Sequence, residues 1–315
     1  MGIWFVLLGM LCISLNDMLI KQLSGGYPLH QIVFTRSAIG LVFGLVFVQL
    51  EGGWRILKTD RPILHTVRGL MVVISNMAFF LAIAVLPLGD ATALFFAAPL
   101  FITLLSIPML GEKVGPLRIG AVLVGFAGVI VMQRPWESGD SLGVNRVILL
   151  LPVIAALTYA MLQVMTRMLG ATSKASAMTI YIQLTFLAVS ALFWLVAGDG
   201  RFAEGQSNQS LIFLLRAWTW PTGADGYVFL GLGVNSAFIG YFMAQAYRMT
   251  DAATVAPFEY VGLPLAVFWG WLIWSDVPVW EVWTGMALIV SAGLFVFLRE
   301  QQKARRVART EIKQR

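Results

Sequence analysis

The sequence predicts an all-α integral membrane protein: ten transmembrane helices in two inverted five-helix repeats, with both termini cytoplasmic. Three observations predict it. The 315 residues are 59% hydrophobic and only 12% charged, where soluble domains carry about 25% charge, so lipid must act as solvent for much of the surface. Apolar runs able to cross a hydrocarbon core of about 30 Å recur along the whole chain. A helix–turn–helix stretch beginning near Gly89 also returns 161 to 165 residues later.

The apolar runs lie near 2–22, 30–50, 65–86, 89–110, 116–133, 146–168, 175–197, 225–247, 251–274 and 279–298. The first has neither a basic leader nor a small-residue cleavage site, so it reads as a retained helix rather than a signal peptide. Two connections are long, 134–145 and 198–224. The chain therefore divides into a first repeat (1–135), a linker (136–145), a second repeat (146–298) and a basic tail (299–315). Within the longer loop, Ser210 to Pro221 reads either as a segment lying flat at the headgroups, with Trp218 and Trp220, or as a collapsed apolar loop.

Orientation follows from Lys and Arg. With the N-terminus inside, sixteen of these residues fall on the cytoplasmic side and five (Lys21, Arg134, Arg146, Arg201 and Arg216) on the other. Five helices per half is an odd number, so the second half enters the membrane inverted relative to the first. The net charge of +6 comes largely from the tail after Leu298. Beside a membrane helix such a tail marks the cytoplasmic side, and no nucleic-acid partner is expected.

The repeat is carried by short motifs. Asp90-Ala91-Thr92, Pro99, Gly111-Glu112-Lys113, Gly120, Gly128 and Arg134-Pro135 in the first half answer to Ala253-Thr254, Asp276-Val277-Pro278, Gly285 and Gly293 in the second. With Phe34-Thr35-Arg36 and Arg68-Gly69, these residues resemble the drug/metabolite transporter superfamily, in particular its ten-helix EamA-type members. The likeness spans essentially the whole chain. Asp276 stands where members usually carry Glu. The resemblance implies a central cavity between two bundles and transport driven by a gradient.

Catalytic constellations are absent from the sequence: there is no P-loop lysine motif, no His-Glu-x-x-His and no Cys-x-x-Cys. Cys12 stands alone, and His30 and His65 are too far apart to suggest a zinc site, so neither a metal nor a cofactor is expected. The protein reads as a non-enzyme whose partners are a small-molecule substrate and the lipid bilayer. Gly40-x-x-x-Gly44 and the glycines of the fifth and tenth helices permit close packing, consistent with a monomer or a weak homodimer.

The informative residues are polar ones at membrane depth, each of which costs a few kcal/mol unless paired or hydrated. Asp17 and Arg36 fall at similar depth, and two readings stand: a structural pair joining the first two helices, or Arg36 as an anion anchor facing a cavity. Arg68, a few residues inside the third helix, is expected to snorkel. Asp90 suits a helix cap or a partner of the helix dipole, and Glu112 and Asp276 suit turn or gate positions. Glu259 lies about 12 Å along the ninth helix, and Tyr260 and Pro257 beside it supply a hydroxyl and a freed carbonyl. With Asn76, Tyr159, Gln163, Asn235, Tyr241 and Gln245, these residues form the expected substrate lining, and Glu259 is the expected coupling carboxylate.

The functional expectation is a secondary active transporter for a small polar metabolite (an amino acid, a carboxylate or a cofactor-like compound), driven by proton coupling or exchange, in a bacterial inner membrane. An intramembrane lipid-modifying enzyme and a non-transporting scaffold or receptor are the alternatives.

Overall fold

The computed structural model describes residues 2–111, 115–134, 136, 146–170, 172–249 and 258–313. The Glu112-Lys113 turn and the segment Asp251 to Pro257 lie outside the described residues, as does most of the linker. The side chains of residues 118, 296, 297, 300, 301 and 303–313 are likewise not described.

Every regular element among the described residues is helical. They are α1 (Gly2–Leu23), α2 (Leu29–Glu51), a 3-10 turn (Gly53–Leu57), α3 (Pro62–Ile83), α4 (Leu88–Phe95), α5 (Ala98–Leu110), α6 (Pro116–Gln133), α7 (Arg146–Leu169), α8 (Ala175–Ala197), α9 (Gln209–Leu215), α10 (Asp225–Met249), α11 (Gly262–Trp274) and α12 (Trp280–Lys313). Counting α4 and α5 as one span, seven are long and apolar enough to cross a membrane, and shorter apolar stretches lie in α6, α11 and α12. Large apolar side chains such as Leu50, Ile63, Leu123 and Leu195 point outward, as lipid-facing surfaces require.

The two halves do not pack as separate bodies. The most extensive contacts join α6 to α12, α3 to α7, α2 to α8, and α1 to α10, each pair crossing from one half to the other. Exchanging α1, α2, α3, α4–α5 and α6 for α7, α8, α10, α11 and α12 turns the α3–α7 contact into α10–α1. It also turns α2–α10 into α8–α3, while α2–α8 and α6–α12 map onto themselves. Gly128 and Gly285 make the α6–α12 crossing possible: a Cβ on either would fall 2.8 Å from the other's carbonyl oxygen. Gly40 likewise packs within the chain, against Gln183 and Gly233.

The run 89–110 forms two helices rather than one. Pro99 has no N–H and crowds the carbonyl four residues earlier, that of Phe95, where α4 ends. Pro264 stands in the same relation to Tyr260, and helix is interrupted at Tyr260–Val261 before α11. The two breaks are therefore counterparts. So are the turns beyond them: Gly111 and Ser275 both adopt left-handed backbone, at φ 68° and φ 58°, and cap α5 and α11.

One end of the bundle is tied across many elements. Lys21 Nζ donates to the carbonyls of Ile83 (3.0 Å) and Leu86 (2.6 Å). Gln31 exchanges two hydrogen bonds with the Thr219 backbone, and Ser210 Oγ donates to Leu81 O at 2.7 Å. Of the two readings of Ser210 to Pro221, packing prevails: Phe213 is buried and Trp218 stacks among His30, Phe34 and Trp194, though Trp220 stays exposed. Asn208 serves as the cap of α9, accepting from Ser210 N at 2.9 Å.

Candidate functional site

A cavity of about 190 Å³ opens in the middle of the bundle, lined from α1, α2, α3, α4, α7, α8, α10, α11 and the residues just before α11. Both halves contribute to its wall, and both helix breaks reach it, through Phe95 and Phe96 on one side and Glu259 and Gly262 on the other. Helix breaks at membrane depth are tolerated where the freed backbone faces a cavity, and they are recurrent at binding sites of transporters.

Glu259 is 3% exposed. Tyr247 on α10 donates to its Oε1, and Tyr159 on α7 lies 3.3 and 3.4 Å from its two oxygens. The carboxylate is thus held by two phenols from different helices.

Arg36 occupies another part of the wall. Its Nη1 donates to Asn16 Oδ1 at 2.8 Å and its Nη2 to Asn76 Oδ1 at 2.9 Å, while Nε has no hydrogen-bond partner. Asn16 Nδ2 in turn donates to Asp17 Oδ1 at 3.0 Å. Asp17 and Arg36 are therefore linked through Asn16 and not by direct contact. The guanidinium lies 5.4 Å from the ring centre of Phe80 and 5.2 Å from that of Phe186. A chain of rings continues beside it: Phe79 meets Phe95 at 5.2 Å, and Phe95 meets Tyr159 at 5.1 Å.

Of the sequence-nominated residues, Asp17, Arg36, Asn76, Tyr159, Gln163 and Glu259 share this cavity. The others face elsewhere. Asn235 donates to Cys12 O at 2.7 Å, fastening α10 to α1. Tyr241 stacks on Phe47 with ring centres 4.7 Å apart. Gln245 meets Arg248 on the same helix. Tyr260 turns toward α12, where a Cβ on Gly293 would fall 2.0 Å from its hydroxyl, and it stacks on Phe96. Helical phase explains the division on α10. Its cavity residues Ser236, Ile239, Gly240, Met243 and Ala244 share one face, and Asn235, Tyr241 and Gln245 are rotated from the middle of that face by about 110° to 170°.

Several cavity residues carried no sequence expectation as ligands. Gln183 donates to Ser236 Oγ at 2.8 Å and leaves its carbonyl oxygen without a partner, as Thr92 leaves its hydroxyl. Arg68 does not snorkel: it is 4% exposed and lines the cavity. Its signal was the pairing of an arginine with Gly69, where a Cβ would fall 2.3 Å from Thr185 Oγ1, so α8 packs directly onto this turn of α3. Asp90 is not a side-chain cap, since Pro87 occupies the cap position; it lies in the first turn of α4, where an acidic side chain complements the helix dipole. Among the described residues, no group of three or more His, Cys, Asp or Glu is placed to hold a metal.

Residues 1–134 match the EamA-like transporter family. Over 98% of its length the chain is 30% identical to a riboflavin transporter of Rhizobium johnstonii, covering 94% of that protein. It is 26% identical to an S-adenosylmethionine uptake transporter of Rickettsia prowazekii, over 96% of this chain and 94% of the other. A crystal structure 20% identical in sequence superposes with a TM-score of 0.65, over 93% of this chain and 97% of the other, and so shares the fold.

Proposed function

Because the chain belongs to the EamA-like transporter family, and so carries a small metabolite across a membrane, we propose that it is an alternating-access secondary transporter whose substrate is a cofactor-like compound built on a planar nitrogen heterocycle. The observation that carries this reading is the cavity wall itself. It combines a run of aromatic rings (Phe79, Phe95, Tyr159) with fixed polar groups at Arg36, Asn76 and Glu259. Rings offer faces on which a planar heterocycle stacks, and the polar groups set its orientation. Riboflavin and S-adenosylmethionine, the substrates named for two relatives, both join such a heterocycle to a polar chain.

In this reading Glu259 is the coupling group. A carboxylate held by Tyr159 and Tyr247 in a cavity wall can take a proton from one side and release it to the other. Competition between that proton and the substrate at one alternately exposed site couples the two flows. The paired contacts between halves support ten crossings in two inverted repeats, and the positive-inside count supports cytoplasmic termini. The bacterial relatives favour an inner membrane.

The test is ligand-induced stabilisation of the purified protein, followed by flux into proteoliposomes with the compound recovered intact. Riboflavin or S-adenosylmethionine is expected to raise the unfolding temperature and to be transported. Stabilisation by aliphatic amino acids or short carboxylates alone would overturn the heterocycle assignment.

A further inference from the structure

We propose that Arg68 is a second substrate anchor, binding an anionic oxygen group (a carboxylate or a phosphate) at one end of the transported molecule; this rests on the transport reading above. Arg68 is buried in the cavity wall, and no carboxylate pairs with it among the described residues. His65, one turn earlier, contacts Ser173 Oγ and brings no anion. The other buried charges of the cavity have their own arrangements: Arg36 has Asp17 behind Asn16, and Glu259 has its two tyrosines. A cation taken out of water without a counter-ion is costly, and an incoming anion offsets that cost.

The group is also preorganised. Nε donates to Thr166 Oγ1 at 2.8 Å and Nη1 to Met178 O at 3.2 Å, both on helices that pack against α3. A guanidinium carries five N–H groups in a planar fork, so donors remain for a planar or tetrahedral oxyanion. Thr166 Oγ1 itself donates to Leu162 O at 2.8 Å, which orients its lone pairs toward Arg68.

Spacing points to the shape of the molecule. Asn76, which touches Arg36, lies eight residues beyond Arg68 on the same face of α3, or about 12 Å along the helix. Phe79, Phe80 and Phe186 gather near the Arg36 end. The heterocycle accordingly sits there, with the anionic tail reaching toward Arg68.

Two matched pairs of probes test this: riboflavin against riboflavin 5′-phosphate, and S-adenosylmethionine against its decarboxylated form. Equilibrium binding to the full-length protein should favour, in at least one pair, the member that carries the additional phosphate or carboxylate by about tenfold. The pair that shows the preference identifies phosphate or carboxylate as the group. Arg68→Gln should abolish the preference while leaving the other member's affinity within a few-fold. Arg68→Lys, which keeps the charge but not the fork, should retain a weaker preference and serves if the glutamine variant does not fold. Equal affinities in both pairs, or a preference that survives in Arg68→Gln, would overturn the anchor while leaving the heterocycle reading standing. Failure of wild type to bind any of the four compounds would remove that reading, and the anchor with it.

Discussion

Tyr247 on α10 donates a hydrogen bond to Glu259, fastening the C-terminal part of that helix to the turn that leads into α11. The contact joins two elements of the second half across the cavity wall, and Tyr159 completes it from α7. Removing one donor leaves a buried acceptor short of a partner. Tyr247→Phe is therefore expected to cost about 1–3 kcal/mol of stability and to slow transport. Tyr241→Phe, on the same helix but facing Phe47, should leave transport unchanged. Thermal unfolding in detergent and proteoliposome uptake check both, and equal effects of the two variants would contradict the geometry.

Around Arg36 the order of importance is Asn16 before Asp17, because of these two Asn16 alone touches the guanidinium. Asn16→Ala should destabilise the protein by about 2 kcal/mol, and Asp17→Asn by less. The same unfolding assay reads the difference. A larger loss for Asp17→Asn would mean that the carboxylate pairs with Arg36 directly in the membrane.

Ser275 holds a left-handed backbone at φ 58°, where its counterpart in the first half is Gly111. A residue with a Cβ pays about 1–2 kcal/mol there, and glycine returns part of that gain as freedom in the unfolded chain. Ser275→Gly is expected to stabilise the protein by about 0.5–1 kcal/mol. A lower unfolding temperature would indicate that the hydroxyl has a role at this turn.

Topology has its own test in a background where Cys12 is replaced by Ser. A cysteine at Ser207 should react with a membrane-impermeant maleimide in intact cells, and one at Lys58 should not. The reverse pattern would exclude cytoplasmic termini.

Helix positions were legible because each apolar run had to be long enough for lipid and ended at charged, glycine or proline residues. The interruption at Phe96–Ala97 was less so: Pro99 was visible, but the apolar run continued unbroken through it, and hydropathy carries no record of backbone direction. For the cavity, depth was legible and helical phase was not. Asn235, Tyr241 and Gln245 lie at suitable depth on α10, yet Ser236 and Gly240, one residue away, are the ones that face the cavity. Arg68 departs from expectation for the opposite reason. Its nearness to the helix end favoured snorkelling, and only the packing of α7 and α8 supplied Thr166 and the Met178 carbonyl that hold it inside.

The most direct measurement is substrate flux into proteoliposomes under an imposed proton gradient, comparing wild type with Glu259→Gln. Glutamine preserves the size of the side chain and accepts hydrogen bonds from Tyr159 and Tyr247 through its carbonyl oxygen, but it cannot exchange a proton. The predicted result is a folded variant that still binds substrate and exchanges it across the membrane, while flux driven by the proton gradient is lost. Gradient-driven flux at the wild-type rate in Glu259→Gln would contradict the assignment of Glu259 as the coupling carboxylate.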